Sequence, residues 1–550
     1  MSILTTNTRQ PDIKDRFARI EPIVGNTLCS RRITLLAGMG SAYLLEYLVS
    51  CGVSQFNILV SDNERKNKQQ TEETIAELSK RLALEIKSSF YDLDTNVERW
   101  ASRESSLFLG TGGEVEYELL REAVIYTGRP AIFYRTVAME VGLLFFLLPG
   151  EAIHIPDWVF AGSAWPNVDL FSELNLINVV ANFAKGLLLV GTEYERRDIE
   201  KVLAGGARTL LVGHPSWPWT VLPIVLPSET PFTQLSELSA KPGSLAGHTC
   251  LVIGLGSLGS VAAATLARLG ANLILVDGKE VAAANPIRQI YGFEDVGRPK
   301  AEACAAWLTR LCGGQWHQES AASHWIWRNQ EQYFLGYQGQ ITPESDNLAK
   351  LAKLIAEYRP EVALIATGTD NDRAISQLLR TSAIPHVIVS CYARARFFEA
   401  ITVSRKDGPC YGCVRGHLHL GTRPSLTPEQ QARYISSDHE LNAEPATRIE
   451  TARAADLAAQ IVYGLLRPEA AAWLTRACAE EQTFFLGGNV VEAQPNGELA
   501  YGIEWPGEVR LYGLQDIVGR GAYLECWDCG RQLPVCVQYQ ENRSFSAGKD

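Results

Sequence analysis

The sequence has no long, uninterrupted apolar run. Its most apolar stretch, residues 137–148, contains Glu140 and is shorter than the roughly 20 residues that a membrane-spanning helix requires. We therefore expect this stretch to form a buried strand and turn. The opening residues, MSILTTNTRQPDIKDRF, also lack the apolar core of a secretory signal. Both absences argue against a membrane protein and against export, and they favour a cytoplasmic protein.

An excess of positive charge is also missing. The 550 residues include 51 Lys and Arg against 62 Asp and Glu, which gives a formal net charge of −11. This balance argues against nucleic-acid binding as the main function. Hydrophobic residues at 46% and charged residues at 21% are typical of a folded, soluble protein. A chain of this length is expected to contain three or four units of roughly 150 residues.

Cysteine is sparse. Twelve cysteines are too few for a disulfide scaffold in a chain of 550 residues, yet four of them form two C-x-x-C pairs, Cys410 with Cys413 and Cys526 with Cys529. Such pairs supply the four thiolates that a structural Zn²⁺ prefers in tetrahedral geometry. The pattern predicts a zinc site in a reducing compartment, with stability rather than chemistry as its role.

The chain contains an internal repeat. Residues 32–62 and residues 249–278 each read as an apolar strand, a glycine turn, an amphipathic helix and a second strand that ends in an acid, Asp62 or Asp277. This pattern is the opening of a dinucleotide-binding βαβ unit. The repeat therefore predicts an α/β protein with two tandem Rossmann-like domains.

The boundaries of these domains follow from composition. We expect the first domain at residues 1–230 and the second at residues 248–550. The segment between them, residues 231–247, belongs to a stretch rich in Pro, Ser and Thr and is typical of a linker.

The glycine turn of the second copy fits the pattern G-x-G-x-x-G, with Gly254, Gly256 and Gly259. By itself this pattern is most typical of nicotinamide and flavin oxidoreductases. The residues that follow Asp277 change that interpretation. Residues 285–300 read N-x-x-R-Q, then D-V-G-x-x-K, and a later strand ends in T-D-N at 369–371.

These motifs closely resemble the signature of the ubiquitin-activating superfamily, which includes ThiF and MoeB. The resemblance covers nearly all of residues 240–530. It implies an E1-like enzyme that uses ATP and Mg²⁺ to adenylate the C-terminal glycine of a ubiquitin-like protein. Thioester formation and transfer to an E2-like conjugating enzyme would follow.

The resemblance also implies which residues form the nucleotide site. Attack on the α-phosphate of ATP builds negative charge on the leaving pyrophosphate, which Arg288 and Lys300 are suited to neutralise. Asp370 is expected to hold Mg²⁺, and Asp277 is expected to bind the ribose. Relatives commonly carry a second acid where this chain has Lys279. The expected nucleotide-binding residues are Gly254, Gly256, Gly259, Asp277, Asn285, Arg288, Gln289, Lys300, Thr369, Asp370 and Asn371.

The first copy departs from the signature. Tyr43 stands where the third glycine is expected, and Gly112 stands where the magnesium carboxylate is expected. This copy resembles the inactive adenylation domain that pairs with an active one in eukaryotic activating enzymes, as a pseudo-dimer. In that family an N-terminal arginine reaches the partner's ATP, and the matching residue is Arg19 in the run R-F-A-R. We therefore expect one active site, with Arg19 as a catalytic group donated by the first copy.

The expected catalytic loop, residues 414–448, contains no cysteine. In relatives this loop holds the thiol that takes the acyl group from AMP, and the matching position is Ala443. Three explanations stay open: a replacement of cysteine by alanine made to trap a complex, a reaction that stops at the adenylate, or another thiol such as Cys478. Cys304 and Cys391 are expected to pack in the core.

The narrower resemblance is to activating enzymes of bacterial ubiquitin-like conjugation operons linked to antiphage defence. The expected partners are a ubiquitin-like protein with a C-terminal glycine tail and a conjugating enzyme, with no nucleic acid or membrane, and a further homodimer stays open. Two alternatives remain: an adenylation-only activator of a sulfur-carrier protein or peptide, and a non-catalytic peptide-binding scaffold. An NAD-dependent oxidoreductase fits less well, because it has no use for Arg288 and Lys300 followed by Asp370.

Overall fold

A computed structural model describes most of the chain. The described residues are 24, 27–38, 40–60, 65–101, 104–138, 141–151, 153, 155–156, 159–160, 170–190, 192, 199, 208–213, 217–226, 240–321, 324–339, 347–369, 371–392, 395–415, 446–491, 502–514, 521–526 and 528–536. We call the part up to residue 230 the first half and the part from residue 248 the second half.

The described strands form two large sheets and a separate hairpin. The strands of the first sheet are β1 (Arg32–Leu36), β2 (Gln55–Val60), β3 (Lys87–Asp92), β4 (Ser105–Gly110), β5 (Ala131–Ala138), β6 (Val141–Leu147), β7 (Thr209–Val212) and β8 (Val221–Pro223). The strands of the second sheet are β9 (Thr249–Ile253), β10 (Asn272–Asp277), β11 (His317–Ala321), β12 (His324–Arg328), β13 (Tyr333–Gln338), β14 (Val362–Ile365), β15 (His386–Tyr392), β16 (Phe397–Val403), β17 (Gln482–Gly488) and β18 (Val509–Gly513). The hairpin consists of β19 (Gly521–Glu525) and β20 (Gln532–Cys536).

Helices alternate with the strands. The described α-helices are α1 (Ser41–Ser50), α2 (Arg65–Leu82), α3 (Glu114–Thr127), α4 (Leu170–Leu189), α5 (Gly259–Arg268), α6 (Lys300–Cys312), α7 (Asn347–Tyr358), α8 (Asn371–Thr381), α9 (Tyr411–Arg415), α10 (Arg448–Leu466) and α11 (Ala472–Ala479). Short 3₁₀ helices lie at Thr27–Ser30, Val97–Arg99, Phe293–Asp295 and Pro468–Ala470. Among the described helices, none is long and apolar enough to cross a membrane.

Both sheets are built on one topology. In the first sheet β3, β2, β1, β4 and β5 are parallel neighbours in that order. In the second sheet the parallel order is β13, β10, β9, β14 and β15. Each corresponds to the order 3-2-1-4-5 of a Rossmann-like fold, and each continues through three antiparallel strands. The predicted α/β fold is confirmed, and the domain boundaries at 230 and 248 stay predictions.

The described part of the apolar stretch at residues 137–148 comprises the end of β5, all of β6 and the residue after it, in the first sheet. Every residue of β6 is buried, so this segment reads as a continuous apolar run because both faces of the strand are covered. The predicted buried strand is therefore confirmed.

Helix α10 joins the two halves. It packs against α5 of the second half and against α4 of the first half. Every residue from Arg448 to Gly464 is buried, so the helix is enclosed on all sides. One cluster of buried apolar side chains runs through both halves. The two halves therefore share a core.

Buried charges cross this shared core. Lys185 of α4 forms an ion pair with Glu450 of α10, and Arg453 of α10 donates a hydrogen bond of 2.6 Å to Oδ1 of Asn175. Burial raises the pKa of Asp456 to about 7, although neighbouring arginines oppose the rise. Removing one partner of such a pair leaves a buried, unpaired charge, which is strongly destabilising. These contacts therefore favour one docking of the two halves over others.

Candidate functional site

The glycine turn of the second half connects β9 to α5. Gly254 has φ +88°, and a Cβ built on it would lie 2.6 Å from the carbonyl oxygen of Ala366. A Cβ on Gly259 would lie 1.9 Å from the carbonyl oxygen of Gly254. A Cβ on Gly256 would meet no atom of the described residues within 4 Å, apart from those of its chain neighbours. Two of the three glycines are therefore required by the chain's own packing, and Gly256 faces open space that a ligand can enter.

This turn lies at the point where the order of the sheet reverses. Gly254 follows β9 and Ala366 follows β14, and these neighbouring parallel strands pair Ile253 with Ile365 at their carboxyl ends. From β9 the chain continues to one side of the sheet, and from β14 it continues to the other. Ligands of open α/β sheets bind in the crevice at such a switch point. The topology therefore places a binding crevice beside Gly256.

Asp277 connects the turn to the neighbouring loop. It ends β10, and its Oδ2 accepts a hydrogen bond of 2.7 Å from the backbone N–H of Leu255. Its Oδ1 accepts one of 2.8 Å from the N–H of Lys279, whose own carbonyl accepts one of 2.9 Å from the N–H of Lys300. The backbone of Lys279 thus connects the end of β10 to the start of α6 through hydrogen bonds, although its side chain departs from the family pattern.

The segment after β10 folds around Asn285. Its side-chain oxygen accepts from the N–H of Ala282 at 3.0 Å, and its carbonyl accepts from the N–H groups of Arg288 and Gln289 at 3.0 and 2.9 Å. The hydroxyl of Tyr291 donates to the carbonyl of Leu255 at 2.8 Å, which fastens the segment to the glycine turn. The sequence does not identify Tyr291 as a site residue, because no motif indicates that a buried tyrosine hydroxyl will bond to the glycine turn.

Two expected cations are buried at this site. Arg288 is 5% exposed and Lys300, the first residue of α6, is 6% exposed. The side-chain oxygen of Gln289 is also buried and has no hydrogen-bond partner among the described residues. Buried polar atoms in folded proteins nearly always have partners. The described residues of this site therefore include two buried positive charges and one buried hydrogen-bond acceptor without a partner.

The T-D-N loop precedes α8. Its Thr369 hydroxyl lies 2.8 Å from that of Thr367, and the N–H of Asn371 donates to the Thr369 hydroxyl at 3.3 Å. Thr367 donates to Asp372 at 2.5 Å. These contacts fix the loop at the carboxyl end of β14, on the opposite side of the crevice from Asp277.

Several expected residues lie outside the described part of the chain. They are Arg19, Asp370 and Ala443, together with residues 416–445 of the expected catalytic loop. Their roles stay predictions from sequence.

The thiol that the sequence offers as an alternative nucleophile is Cys478. Burial raises the pKa of Cys478, which lies on α11, and this disfavours the reactive thiolate. Burial also raises the pKa of Cys304, which is fully enclosed as expected. Cys391, near the end of β15, is half-buried and packs against the main apolar cluster.

The two C-x-x-C pairs converge. The sulfur of Cys410 lies 3.6 Å from those of Cys413 and Cys526, and the sulfur of Cys413 lies 3.4 Å from that of Cys529. All four lie within 4.8 Å of one another, and none forms a disulfide. A tetrahedral Zn²⁺ with Zn–S bonds of about 2.3 Å needs sulfurs about 3.8 Å apart. The predicted four-cysteine cluster is confirmed, and its spacing fits zinc.

Asp528 ties this cluster to α8. Arg373 of α8 donates to Asp528 Oδ1 through Nε at 2.7 Å. Gly412 lies so close that a Cβ there would be 2.1 Å from Asp528 Oδ2. Because α8 begins at Asn371, the cluster braces the helix that follows the T-D-N loop.

In the glycine turn of the first half, side chains of neighbouring elements pack closely against the glycines. A Cβ on Gly38 would lie 2.7 Å from a methyl carbon of Thr111, and one on Gly40 would lie 2.5 Å from Ile177. A cavity of about 980 Å³ lies beside this turn, lined by both halves. Its wall includes Glu173, whose pKa burial raises to about 7. The expectation that this half is inactive stays a prediction.

The contrast between Gly256 and Gly254 gives a matched pair of variants. In Gly256→Ala the added methyl occupies only open space, so we expect an unfolding temperature within about 2 °C of the unmodified protein. The same methyl enters the crevice, so ATP affinity should fall by about tenfold or more. Gly254→Ala should instead lower the unfolding temperature, because it strains a positive φ and meets backbone.

Calorimetry for ATP binding and thermal unfolding of both variants check this prediction. An unchanged ATP affinity in Gly256→Ala would place the ligand elsewhere.

Comparison with known proteins gives one family match, which lies mostly in the second half. Residues 240–486, which are less than half of the 550 residues, match the model of the ThiF family. No curated protein matches the chain.

Several solved structures align with the chain at low similarity. PaaA is 16% identical over 48% of this chain and 64% of its own, with a TM-score of 0.30. The microcin C7 biosynthetic enzyme MccB in complex with N-formylated MccA is 15% identical over 52% of this chain and 68% of its own, with a TM-score of 0.31. E. coli MccB with ATP is 17% identical over 52% of this chain and 68% of its own, with a TM-score of 0.30. The chain thus spans under two thirds of PaaA. At these TM-scores the alignments support no argument about function, and the fold rests on the strand order.

Proposed function

We propose that the ThiF family domain at residues 240–486 uses ATP to adenylate the C-terminal carboxylate of a protein or peptide. The observation that carries this proposal is the space beside Gly256, where an added Cβ would meet no described residue other than its chain neighbours within 4 Å, at the switch point of the sheet. The loop between β10 and α6 contains the buried cation Arg288, and Lys300, the first residue of α6, is also buried. Buried cations and an unpartnered acceptor, Gln289 Oε1, are suited to a polyanionic ligand with donor groups of its own.

In the proposed reaction a carboxylate oxygen attacks the α-phosphorus of ATP. The bond from that phosphorus to the pyrophosphate oxygen breaks, and pyrophosphate leaves with the bonding electrons. Arg288 and Lys300 stabilise the charge that builds on the leaving group. Asp370 is the residue that we assign to hold Mg²⁺, which when bound would supply further positive charge to the phosphates.

Asp277 is assigned to the ribose. Each of its carboxylate oxygens accepts one backbone N–H, from Leu255 or Lys279, and a carboxylate oxygen can accept two hydrogen bonds. The remaining acceptor positions fit ribose hydroxyls. The backbone contacts hold the carboxylate in a fixed orientation at the end of β10.

The finer assignment is an E1-like activation of a ubiquitin-like protein with a C-terminal glycine. Its support is the sequence signature at 285–300 and 369–371 together with the paired Rossmann-like sheets. In this assignment Arg19 of the first half reaches the nucleotide, and the activated modifier passes to an E2-like enzyme of a bacterial conjugation system linked to antiphage defence.

A reaction that stops at the adenylate is the second candidate. It is favoured by the absence of cysteine from residues 414–448 and by the raised pKa of Cys478. The substrate would then be a sulfur-carrier protein or a peptide. Ala443→Cys separates the two candidates, since only the E1-like enzyme should then form a reductant-sensitive conjugate.

The test of the proposed function is ATP–pyrophosphate exchange with two forms of one substrate. The substrate is a ubiquitin-like protein that ends in Gly-Gly, with either a free or an amidated C-terminus. We expect exchange only with the free carboxylate, because the amide cannot attack phosphorus. Tight binding of both forms without exchange would instead identify a peptide-binding scaffold.

A further inference from the structure

One arginine touches both halves of the protein and the nucleotide loop. Arg448 is the first residue of α10 and is buried. Its Nη2 forms an ion pair of 2.8 Å with Glu46 Oε1, on α1 of the first half. Its Nη1 donates a hydrogen bond of 2.7 Å to the carbonyl oxygen of Gln289. Gln289 follows Arg288, so this contact holds the backbone beside one of the two buried cations.

From these contacts we infer that Arg448 is a positioning residue, through which Glu46 of the first half holds the Asn285–Gln289 segment in its ATP-binding conformation. This inference rests on the proposed function of that segment. It gives the first half a role at the nucleotide site that does not depend on a trans-acting arginine.

Glu46 is itself fixed by the first half. Arg81 of α2 donates to the same oxygen, Glu46 Oε1, at 2.5 Å. Burial alone would raise the pKa of Glu46, but Arg448 and Arg81 lower it to about 2. The carboxylate is therefore ionised throughout the physiological pH range. It presents a fixed negative charge to Arg448.

The arrangement restricts the guanidinium strongly. A planar guanidinium that bonds in two directions is oriented by both partners at once, whereas an ammonium group is not. The carbonyl of Gln289 also belongs to a segment whose N–H groups are engaged by Asn285. Without the Arg448 hydrogen bond, the Asn285–Gln289 segment would keep its local backbone hydrogen bonds but would lose its contact with α10.

Arg448 also marks the end of the expected catalytic loop, residues 414–448. Thr447, just before it, caps α10 through Glu450, whose carboxylate accepts from the Thr447 N–H at 3.0 Å. Helix α10 therefore begins at the same residue that connects the nucleotide segment to the first half.

The test compares three single substitutions in the full chain. Glu46→Gln removes the charge that orients the guanidinium, and Arg448→Met removes both contacts. Lys185→Met is the matched control, because it breaks another buried ion pair between the halves, with Glu450, that does not touch residues 285–289. All three are expected to lower the unfolding temperature.

Only the first two should act on the nucleotide site. We expect Glu46→Gln and Arg448→Met to lower kcat/KM for ATP in pyrophosphate exchange by about 10-fold to 100-fold, mainly through KM. Arg448→Lys, which keeps one donor, should fall between Arg448→Met and the unmodified protein. Equal effects of Lys185→Met and Glu46→Gln on KM would overturn the inference, since general destabilisation would then explain both.

Hydrogen–deuterium exchange of the unliganded protein separates this inference from the proposed function. Backbone amides of residues 285–291 should exchange faster in Glu46→Gln and Arg448→Met than in Lys185→Met. If that occurs in a protein without any pyrophosphate exchange, the positioning role stands and the adenylation proposal fails. If amide exchange in this segment is the same in all variants, the positioning role fails, whatever the activity.

Discussion

Replacing Lys300 with alanine is expected to lower kcat/KM for ATP–pyrophosphate exchange by about 100-fold to 1,000-fold. A similar loss is expected for Arg288→Ala. Both residues are almost fully buried, Arg288 in the loop after β10 and Lys300 at the first position of α6. Loss of one preorganised donor to developing charge typically costs two to three orders of magnitude in rate. Because the interaction strengthens as pyrophosphate departs, kcat should fall along with kcat/KM.

Arg310 on the same helix is the control for Lys300. It is an exposed cation near the other end of α6, and it lines the cavity beside the first half. Arg310→Ala should leave pyrophosphate exchange within about twofold of the unmodified protein. If Arg310→Ala and Lys300→Ala lower exchange equally, net charge rather than a local clamp governs the reaction. If Lys300→Ala kept full activity, the Lys300 side chain would have no role in the reaction.

Loss of the four-cysteine cluster is expected to have the largest effect on stability. We expect the purified protein to contain one Zn²⁺ per chain and Cys413→Ser to contain none. Structural zinc sites contribute several kcal/mol to folding, so the unfolding temperature should fall by about 10 °C or more. Cys51→Ala is the control, since Cys51 is buried but lies in the first half, away from the cluster.

The cluster should also influence the nucleotide site. Through Asp528 and Arg373 it braces α8, which begins directly after Asp370. Cys413→Ser is therefore expected to weaken Mg²⁺-dependent exchange even at temperatures where the protein remains folded. Metal analysis that finds no zinc in the unmodified protein, or equal unfolding temperatures for both variants, would contradict this account.

The sequence was informative where chemistry depends on local pattern. The glycine turn at residues 254–259 and the two C-x-x-C pairs were located from spacing alone, because backbone geometry and thiolate coordination require those residues. The pairs lie far apart in the sequence, yet their sulfurs meet within 4.8 Å. The repeat likewise predicted two Rossmann-like units, and both sheets follow the order 3-2-1-4-5.

Contacts between the halves were beyond the reach of sequence patterns. Nothing near Arg448 in the sequence indicates that Glu46 and Gln289 are its partners, since that depends on how α10 docks between the two sheets. Buried side chains that pair across such an interface look like ordinary surface charges in the sequence. Tyr291 was missed for a related reason, because a hydroxyl that braces a glycine turn leaves no spacing to recognise.

The nucleophile shows a different limit. Sequence comparison with the family pattern placed Ala443 at the thioester position, and that position lies outside the described residues. The structure does constrain the alternative thiol, because burial raises the pKa of Cys478. This raised pKa favours the candidate reaction that stops at the adenylate, and the Ala443→Cys variant distinguishes that candidate from the E1-like one.

The most direct measurement is mass spectrometry of the substrate after incubation with the protein, ATP and Mg²⁺, followed by an acid quench. Our account predicts a species carrying AMP on its C-terminal carboxyl group, formed with the unmodified protein and lost in Lys300→Ala. A substrate that remains unmodified while ATP and the substrate both bind would contradict adenylation and would identify the crevice beside Gly256 as a recognition site only.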